Sequence, residues 1–70
     1  MTDRQANLLE VDDIILAEDP CHSPCGTPVK ARVIGKGIKS ARRVIDVEFL
    51  TNTCKIDFHW LWPEQITRKI

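Results

Sequence analysis

Two segments of alternating apolar and polar side chains, residues 29–35 and 42–50, constrain the fold of this chain most strongly. A period of two residues is typical of β-strands that bury one face. The side chains that we expect to face the core are Val29, Ala31 and Val33 in the first segment, and Ile45, Val47 and Phe49 in the second. Between them, Gly35 and Gly37 are expected to end the first strand and to open a basic connection.

The N-terminal segment has two interpretations. Thr2 and Gln5 have the spacing of a capping box, so residues 1–10 fit either a short helix or a frayed terminus. Residues 11–17 are β-branched at their centre, which predicts the first strand. A helix over residues 2–18 is the competing interpretation, and the acidic pair at 12 and 13 fits it poorly.

The C-terminal third predicts a return strand at residues 54–61, after a short turn at 51–53. Alternation there assigns four side chains to the core, namely Cys54, Ile56, Phe58 and Trp60, and it turns His59 outward. Pro63 stops that strand, residues 63–66 predict one tight helical turn, and residues 67–70 can add a last short strand.

Residues 19–28 are excluded from regular structure by three prolines, Pro20, Pro24 and Pro28. The chain therefore predicts an all-β domain of four to five short antiparallel strands and no substantial helix. A chain of 70 residues forms one small domain, here expected to span residues 11–70 after an N-terminal segment at 1–10. Closure into a small barrel would remove exposed strand edges.

The layout resembles the SH3-like small barrels, including Tudor and KOW-type modules. Residues 11–17 are similar to the opening strand, residues 18–28 to the long first loop, and residues 29–35 and 42–49 to the second and third strands. Residues 62–70, WPEQITRKI, are similar to the closing turn and final strand. The resemblance implies a small barrel that serves as a binding module.

Charge is segregated along the chain although the formal net charge is zero. Residues 20–45 carry six basic side chains and no acidic one. These residues are Lys30, Arg32, Lys36, Lys39, Arg42 and Arg43. On a hairpin they would form a basic surface able to contact phosphates, so contact with nucleic acid or a nucleoprotein is the first functional hypothesis. A solvated edge that blocks aggregation explains the same charges without any ligand.

The four aromatic side chains all lie in the last third of the chain, at positions 49, 58, 60 and 62. A small core needs large apolar groups, so Trp60 is assigned to the core. Trp62 stands beside Pro63 at the end of a strand, where it is the better candidate for a protein contact. A protein–protein adaptor, such as a small accessory or phage-type regulator that uses Trp62 and the acidic first strand, is the second hypothesis.

Three cysteines do not suggest a secreted disulfide scaffold, because an odd number leaves one thiol unpaired. The only candidate zinc ligands that can be grouped are Cys21, His22, Cys25 and Cys54, which makes a zinc-stabilised mini-domain the third hypothesis. The second close ligand pair of zinc knuckles is missing, so no cofactor is expected. Strand parity assigns Cys54 to the core, where it is explained as a small hydrophobic residue.

No nucleophile elbow, phosphate loop or paired metal-binding histidines mark a reaction, so a non-enzymatic protein is expected. No apolar run is long enough to span a bilayer, and the polar N-terminus lacks a secretory signal pattern. A cytoplasmic location without membrane contact is the corresponding expectation. The oligomeric state and the choice among DNA, RNA and protein partners are left open by these patterns.

Overall fold

The computed structural model describes residues 1–19, 27–50 and 58–70 of the chain. It contains one short helix, five strands and one 3-10 turn. In chain order these are α1 (Asp3–Asn7), β1 (Ile14–Ala17), β2 (Val29–Lys39), β3 (Arg42–Phe49), β4 (Phe58–Leu61), the 3-10 turn Pro63–Gln65, and β5 (Ile66–Lys69). The all-β class, the strand count and the short N-terminal helix are confirmed.

The five strands form a single antiparallel sheet in the order β4-β3-β2-β1-β5. The expected closure into a barrel is wrong, because β4 and β5 are the two edges of an open sheet in the described part of the chain. Each of these edge strands has only four residues. The carbonyl of Ile66 on β5 accepts a hydrogen bond from the Met1 ammonium group at 2.7 Å, instead of pairing with β4.

The hairpin of β2 and β3 is the longest part of the sheet. The sequence predicted that Gly35 and Gly37 end the strand, and this is wrong because β2 continues through Lys39. The register shifts between Val33 and Gly35, so Ile34 is an extra residue on β2 without a paired residue on β3. Lys39 pairs with Arg42, so only Ser40 and Ala41 form the loop, with φ angles of 51° and 62°. Positive φ at both central residues is the conformation that tight hairpin turns require.

The main core cluster lies on one face of the sheet, and the predicted core face of β3 is confirmed, although Val44, which has the opposite parity, is also fully buried. Val47 is fully buried, and Ile45 and Phe49 are almost so. Ala31 and Val33 of β2 are also fully buried, as predicted. The complete cluster of buried apolar residues consists of Ala6, Leu9, Ile15, Ala17, Ala31, Val33, Ile45, Val47, Phe49, Leu61 and Ile66.

The N-terminal segment contributes to this core through α1. Thr2 caps the helix with the predicted capping box, since its hydroxyl accepts from the Gln5 amide at 3.1 Å and the Gln5 side chain accepts from the Thr2 amide at 2.9 Å. The helix is short and β1 follows it, so the strand interpretation is confirmed from Ile14 onward. Asp12, with φ of 77°, lies in the turn before β1 and not in the strand.

Candidate functional site

The six basic residues singled out in the sequence fall into two groups at opposite ends of β2. Lys30 and Arg32 lie near its start, whereas Lys36 and Lys39 lie near its end. Arg32 and Lys36, the nearest members of the two groups along β2, are four positions apart, which corresponds to about 13 Å along a strand. The basic residues are therefore divided into two groups. We call the end that carries Lys36, Lys39, Arg42 and Arg43 the hairpin tip.

Arg32, at the other end, is largely neutralised by acidic neighbours. Its Nη2 donates to Glu48 Oε1 at 2.7 Å, across the pair of strands β2 and β3. Its Nη1 lies 3.8 Å from Asp12 Oδ1. A guanidinium that already faces two carboxylates has little positive potential left for a phosphate.

Arg42 ties the hairpin tip to two other elements. Its Nη1 and Nη2 donate to the two carboxylate oxygens of Glu64 at 3.1 and 3.0 Å, in a bidentate pair with the 3-10 turn. Its Nη2 also lies 3.5 Å from Asp3 Oδ1 on α1. These hydrogen bonds lower the pKa of Glu64 and raise that of Arg42, because each stabilises the charged form of its partner. The guanidinium is thus held in one orientation, and like Arg32 it faces two carboxylates, so it offers a fixed planar group more than free positive charge.

Two tryptophans lie beside these cations. Trp60 and Trp62 meet edge to face, with ring centroids 5.0 Å apart and planes at 85°. Lys39 Nζ lies 5.7 Å from the centroid of the Trp60 ring, and Arg42 Cζ lies 4.7 Å from that of Trp62. Both separations are within the range of cation–π attraction. We call these four residues the Trp–cation cluster.

The assignment of Trp60 and Phe58 to the core is wrong. Trp60 is only half-buried and Phe58 is 65% exposed, whereas Leu61 is 2% exposed and belongs to the core. The register explains the difference, because Leu61 pairs with core-facing Ile45 and therefore Trp60 projects from the opposite face. His59 is exposed, as expected. Trp62 is half-buried, and its role as a protein contact stays a prediction.

The other two cations of the hairpin tip are bonded to Asn7 at the end of α1. Lys36 Nζ donates to the Asn7 carbonyl oxygen at 2.6 Å, and Arg43 Nη1 donates to Asn7 Oδ1. Both acceptors are uncharged, so these contacts orient the two side chains without neutralising them. Arg4 of α1 also lies at this end, in contact with the same cleft as Arg43.

Basic side chains outnumber acidic ones around the hairpin tip. The five basic residues are Arg4, Lys36, Lys39, Arg42 and Arg43, and the three acidic ones are Asp3, Asp46 and Glu64. Of these basic residues, Lys39 and Arg42 lie against the half-buried tryptophans, whereas Arg4, Lys36 and Arg43 lie beside α1. The arrangement is chemically suited to bind an anionic ligand that also has a planar ring.

Sequence reasoning missed Trp60, Asn7, Arg4 and Glu64 as parts of this site. The pattern Trp-Leu-Trp contained a signal for the first of them, since residues two apart on a strand share a face and an aliphatic residue stands between them. Asn7, Arg4 and Glu64 join the site through the tertiary fold, and no local pattern marks them.

The candidate zinc ligands Cys21, His22, Cys25 and Cys54 lie outside the described residues. Within the described ranges, no group of three or more histidine, cysteine, aspartate or glutamate side chains could hold a metal ion. No helix in that part of the chain is long and apolar enough to cross a membrane.

Comparison with known proteins gives no match, whether with family models, curated protein sequences or solved structures. A function can therefore be argued only from the chemistry of the described surface.

Proposed function

We propose that this protein is a non-enzymatic binding module that contacts single-stranded nucleic acid through the hairpin tip and its two tryptophans. The observation that carries the proposal is the Trp–cation cluster, in which Lys39 and Arg42 lie against Trp60 and Trp62. Proteins that bind single strands combine positive charge for the backbone with aromatic side chains on which bases stack. Both components occur here on one surface.

Single-stranded ligands suit this surface better than a duplex. The bases of a duplex are stacked on one another, whereas those of a single strand are free to stack on a tryptophan ring or a guanidinium plane. Arg42 is already fixed by Glu64, so the Arg42–Trp62 pair offers a preorganised planar surface. Preorganisation reduces the entropy that binding would otherwise cost.

The resemblance to SH3-like small barrels is part of the same proposal. Its support is that the opening strand, the second and third strands, the closing turn and the final strand are all present in the expected order. The sheet itself is open, so the proposed resemblance concerns the order of the strands and not their closure. Binding modules of this kind use the loops and strand ends of a rigid sheet as their contact surface.

The adaptor hypothesis has less support. It relies on the acidic residues near the first strand, but Asp12 already faces Arg32 and Asp13 lies 3.5 Å from Lys69 Nζ. Charges that are paired within the molecule are less able to recognise a partner. A protein partner remains the interpretation to adopt if the oligonucleotide experiment fails.

The test is a titration with a labelled single-stranded oligonucleotide, followed by anisotropy and by tryptophan emission. The chain has two tryptophans, both in the Trp–cation cluster, so all of the tryptophan signal comes from the proposed surface. We expect emission to be quenched on binding. If about four phosphates are neutralised, log K should fall with log salt at a slope of about −3.

Two kinds of variant identify the contacts. The double variant Lys39→Gln and Arg43→Gln should reduce the magnitude of the salt slope by about 1.4. Lys30→Gln, at the far end of β2, should change this slope much less. Trp62→Ala should weaken binding about 5- to 150-fold, and Trp62→Phe should retain most of the affinity. Unquenched tryptophan emission, or affinity that does not depend on salt, would refute the proposal.

A further inference from the structure

We propose that the cleft between α1 and the hairpin tip is a phosphate subsite, an inference that rests on the proposed binding of nucleic acid. The cleft has a volume of about 380 Å³. Its lining residues are Asp3, Arg4, Asn7, Ala41, Arg42 and Arg43. The volume is at the low end for ligand sites, which suits one small group.

Arginine is the side chain best matched to phosphate, because its planar fork of N–H donors fits two phosphate oxygens at once. Three arginines line this cleft, and they come from two elements, α1 and β3. The tight loop at Ser40 and Ala41 carries two of them, Arg42 and Arg43, to the mouth of the cleft.

Arg4 is the cation available to a ligand. No hydrogen bond or ion pair joins it to another residue in the described part of the chain. Arg43 donates one N–H to Asn7 Oδ1, and its other N–H groups remain for a ligand. The same bond fixes the Asn7 amide, whose Nδ2 donors are then also available.

Asp3 is the one acidic residue of the lining. Its Oδ1 lies 3.5 Å from Arg42 Nη2, but Arg42 is also the bidentate partner of Glu64, so this one guanidinium faces two carboxylates. With Glu64 counted, the three arginines leave one net positive charge at the cleft, which Arg4 and Arg43 provide. A dianionic or monoanionic phosphate group would be attracted by this charge, and its oxygens can accept from the guanidinium groups and the amide.

Arg42 links the cleft to the aromatic surface. It lines the cleft and its Cζ lies 4.7 Å from the centroid of the Trp62 ring. A base on the tryptophans and a phosphate in the cleft would thus lie side by side, as they do in one strand. The phosphate can be a diester of the backbone, with two non-bridging oxygens, or a monoester at a strand end, with three, since either can accept N–H donors from arginine.

The test compares Arg4→Gln with Arg68→Gln, a matched control that removes an exposed arginine from β5, on another part of the surface. Neither arginine side chain has a hydrogen-bond or ion-pair partner in the described part of the chain, so both variants should fold. With a 5′-hydroxyl oligonucleotide, Arg4→Gln should weaken binding several-fold and reduce the salt slope by about 0.7, with tryptophan quenching retained at saturation. Arg68→Gln should leave the slope unchanged.

Adding a 5′-phosphate to the same oligonucleotide separates the two sources of phosphate. A gain in affinity that Arg4→Gln abolishes identifies a terminal monoester. If the 5′-phosphate gives no gain in affinity but Arg4→Gln still reduces the salt slope, the bound group is a backbone diester. The subsite would be overturned by two results together: equal salt slopes for Arg4→Gln and Arg68→Gln, and no gain in affinity from the 5′-phosphate that Arg4→Gln abolishes. The proposed function would still stand if the oligonucleotide quenches the tryptophan emission of the wild type.

Inorganic phosphate gives a readout that does not depend on nucleic acid. We expect millimolar phosphate to shift the backbone amide resonances of residues 3–7 and 40–43 in the wild type, and to shift them much less in Arg4→Gln. If oligonucleotides do not bind but phosphate shifts these amides, the proposed function fails and the anion site stands. If neither is observed, both are refuted.

Discussion

The two-residue loop of the β2–β3 hairpin offers the most direct test of the fold. Ser40 and Ala41 both have positive φ, at 51° and 62°, although neither is glycine or asparagine. An L-residue in the left-handed conformation costs about 1–2 kcal/mol, because its Cβ crowds the following carbonyl oxygen. The hairpin therefore contains strain that a glycine would relieve.

Replacing Ala41 by glycine should stabilise the protein. The relief of about 1–2 kcal/mol is reduced by about 0.4–1 kcal/mol, because glycine gives the unfolded chain more freedom. The expected net gain is about 0.5–1 kcal/mol, which in a domain of this size raises the melting temperature by roughly 2–8 °C. Thermal and urea unfolding, followed by circular dichroism, measure this gain.

Two control variants make the result decisive. Ala41→Val should lower stability, since a β-branched side chain tolerates positive φ least. Ile38→Gly, at an exposed position inside β2, should also lower stability, since glycine weakens a strand interior. A melting temperature for Ala41→Gly that is equal to or below that of the wild type would refute the proposed strain.

Three further predictions concern the core, the helix and the response to acid. Leu61→Ala should destabilise by about 2–5 kcal/mol, whereas Phe58→Ala should change the free energy of unfolding by no more than about 0.5 kcal/mol; equal costs in urea unfolding would contradict the register of β4. Thr2→Ala should cost about 0.5–2 kcal/mol by removing the capping box, with faster hydrogen exchange in α1 as the measure. A hydrogen bond from the Glu10 amide is the main cause that lowers the pKa of Asp13 below its ordinary value of 3.8. The Asp13 carboxylate therefore stabilises the fold above pH 3.8, and this contribution is lost as the pH falls through the lower pKa of the folded state. Asp13→Asn should therefore flatten the acid side of the stability profile, and an unchanged profile would contradict the assignment.

Alternation was sufficient to predict the central hairpin strands, because their core positions are filled by aliphatic and aromatic side chains at every second residue. The loop between them was harder to place. Turn prediction depends on residues that adopt positive φ readily, and Ser40 and Ala41 are not among these. The predicted strand ended at Gly35 because glycine is typical of turns, but pairing with β3 extends β2 to Lys39.

The side of the sheet on which β4 places its aromatics could not be settled by residue size. Phe58 and Trp60 are the larger apolar groups, and a small core was expected to take them. Leu61 fills that position instead, because its pairing with Ile45 puts it on the core face. A difference of one residue in the alternation of β4 thus places Trp60 on the face opposite the core. The Trp–cation cluster forms because Trp60 lies on that face.

The length of β2 decides what the basic segment can do. A count of charges along the sequence treats its six cations as one group, but a strand of 11 residues separates them into two. At one end Glu48 and Asp12 neutralise Arg32. At the other end Glu64 and Asp3 pair with Arg42, but Lys36 and Arg43 meet only the uncharged acceptors of Asn7, and the tryptophans supply ring faces. The capacity for an anionic, ring-bearing ligand therefore comes from the tertiary environment of the hairpin tip, and charge density along the chain alone does not explain it.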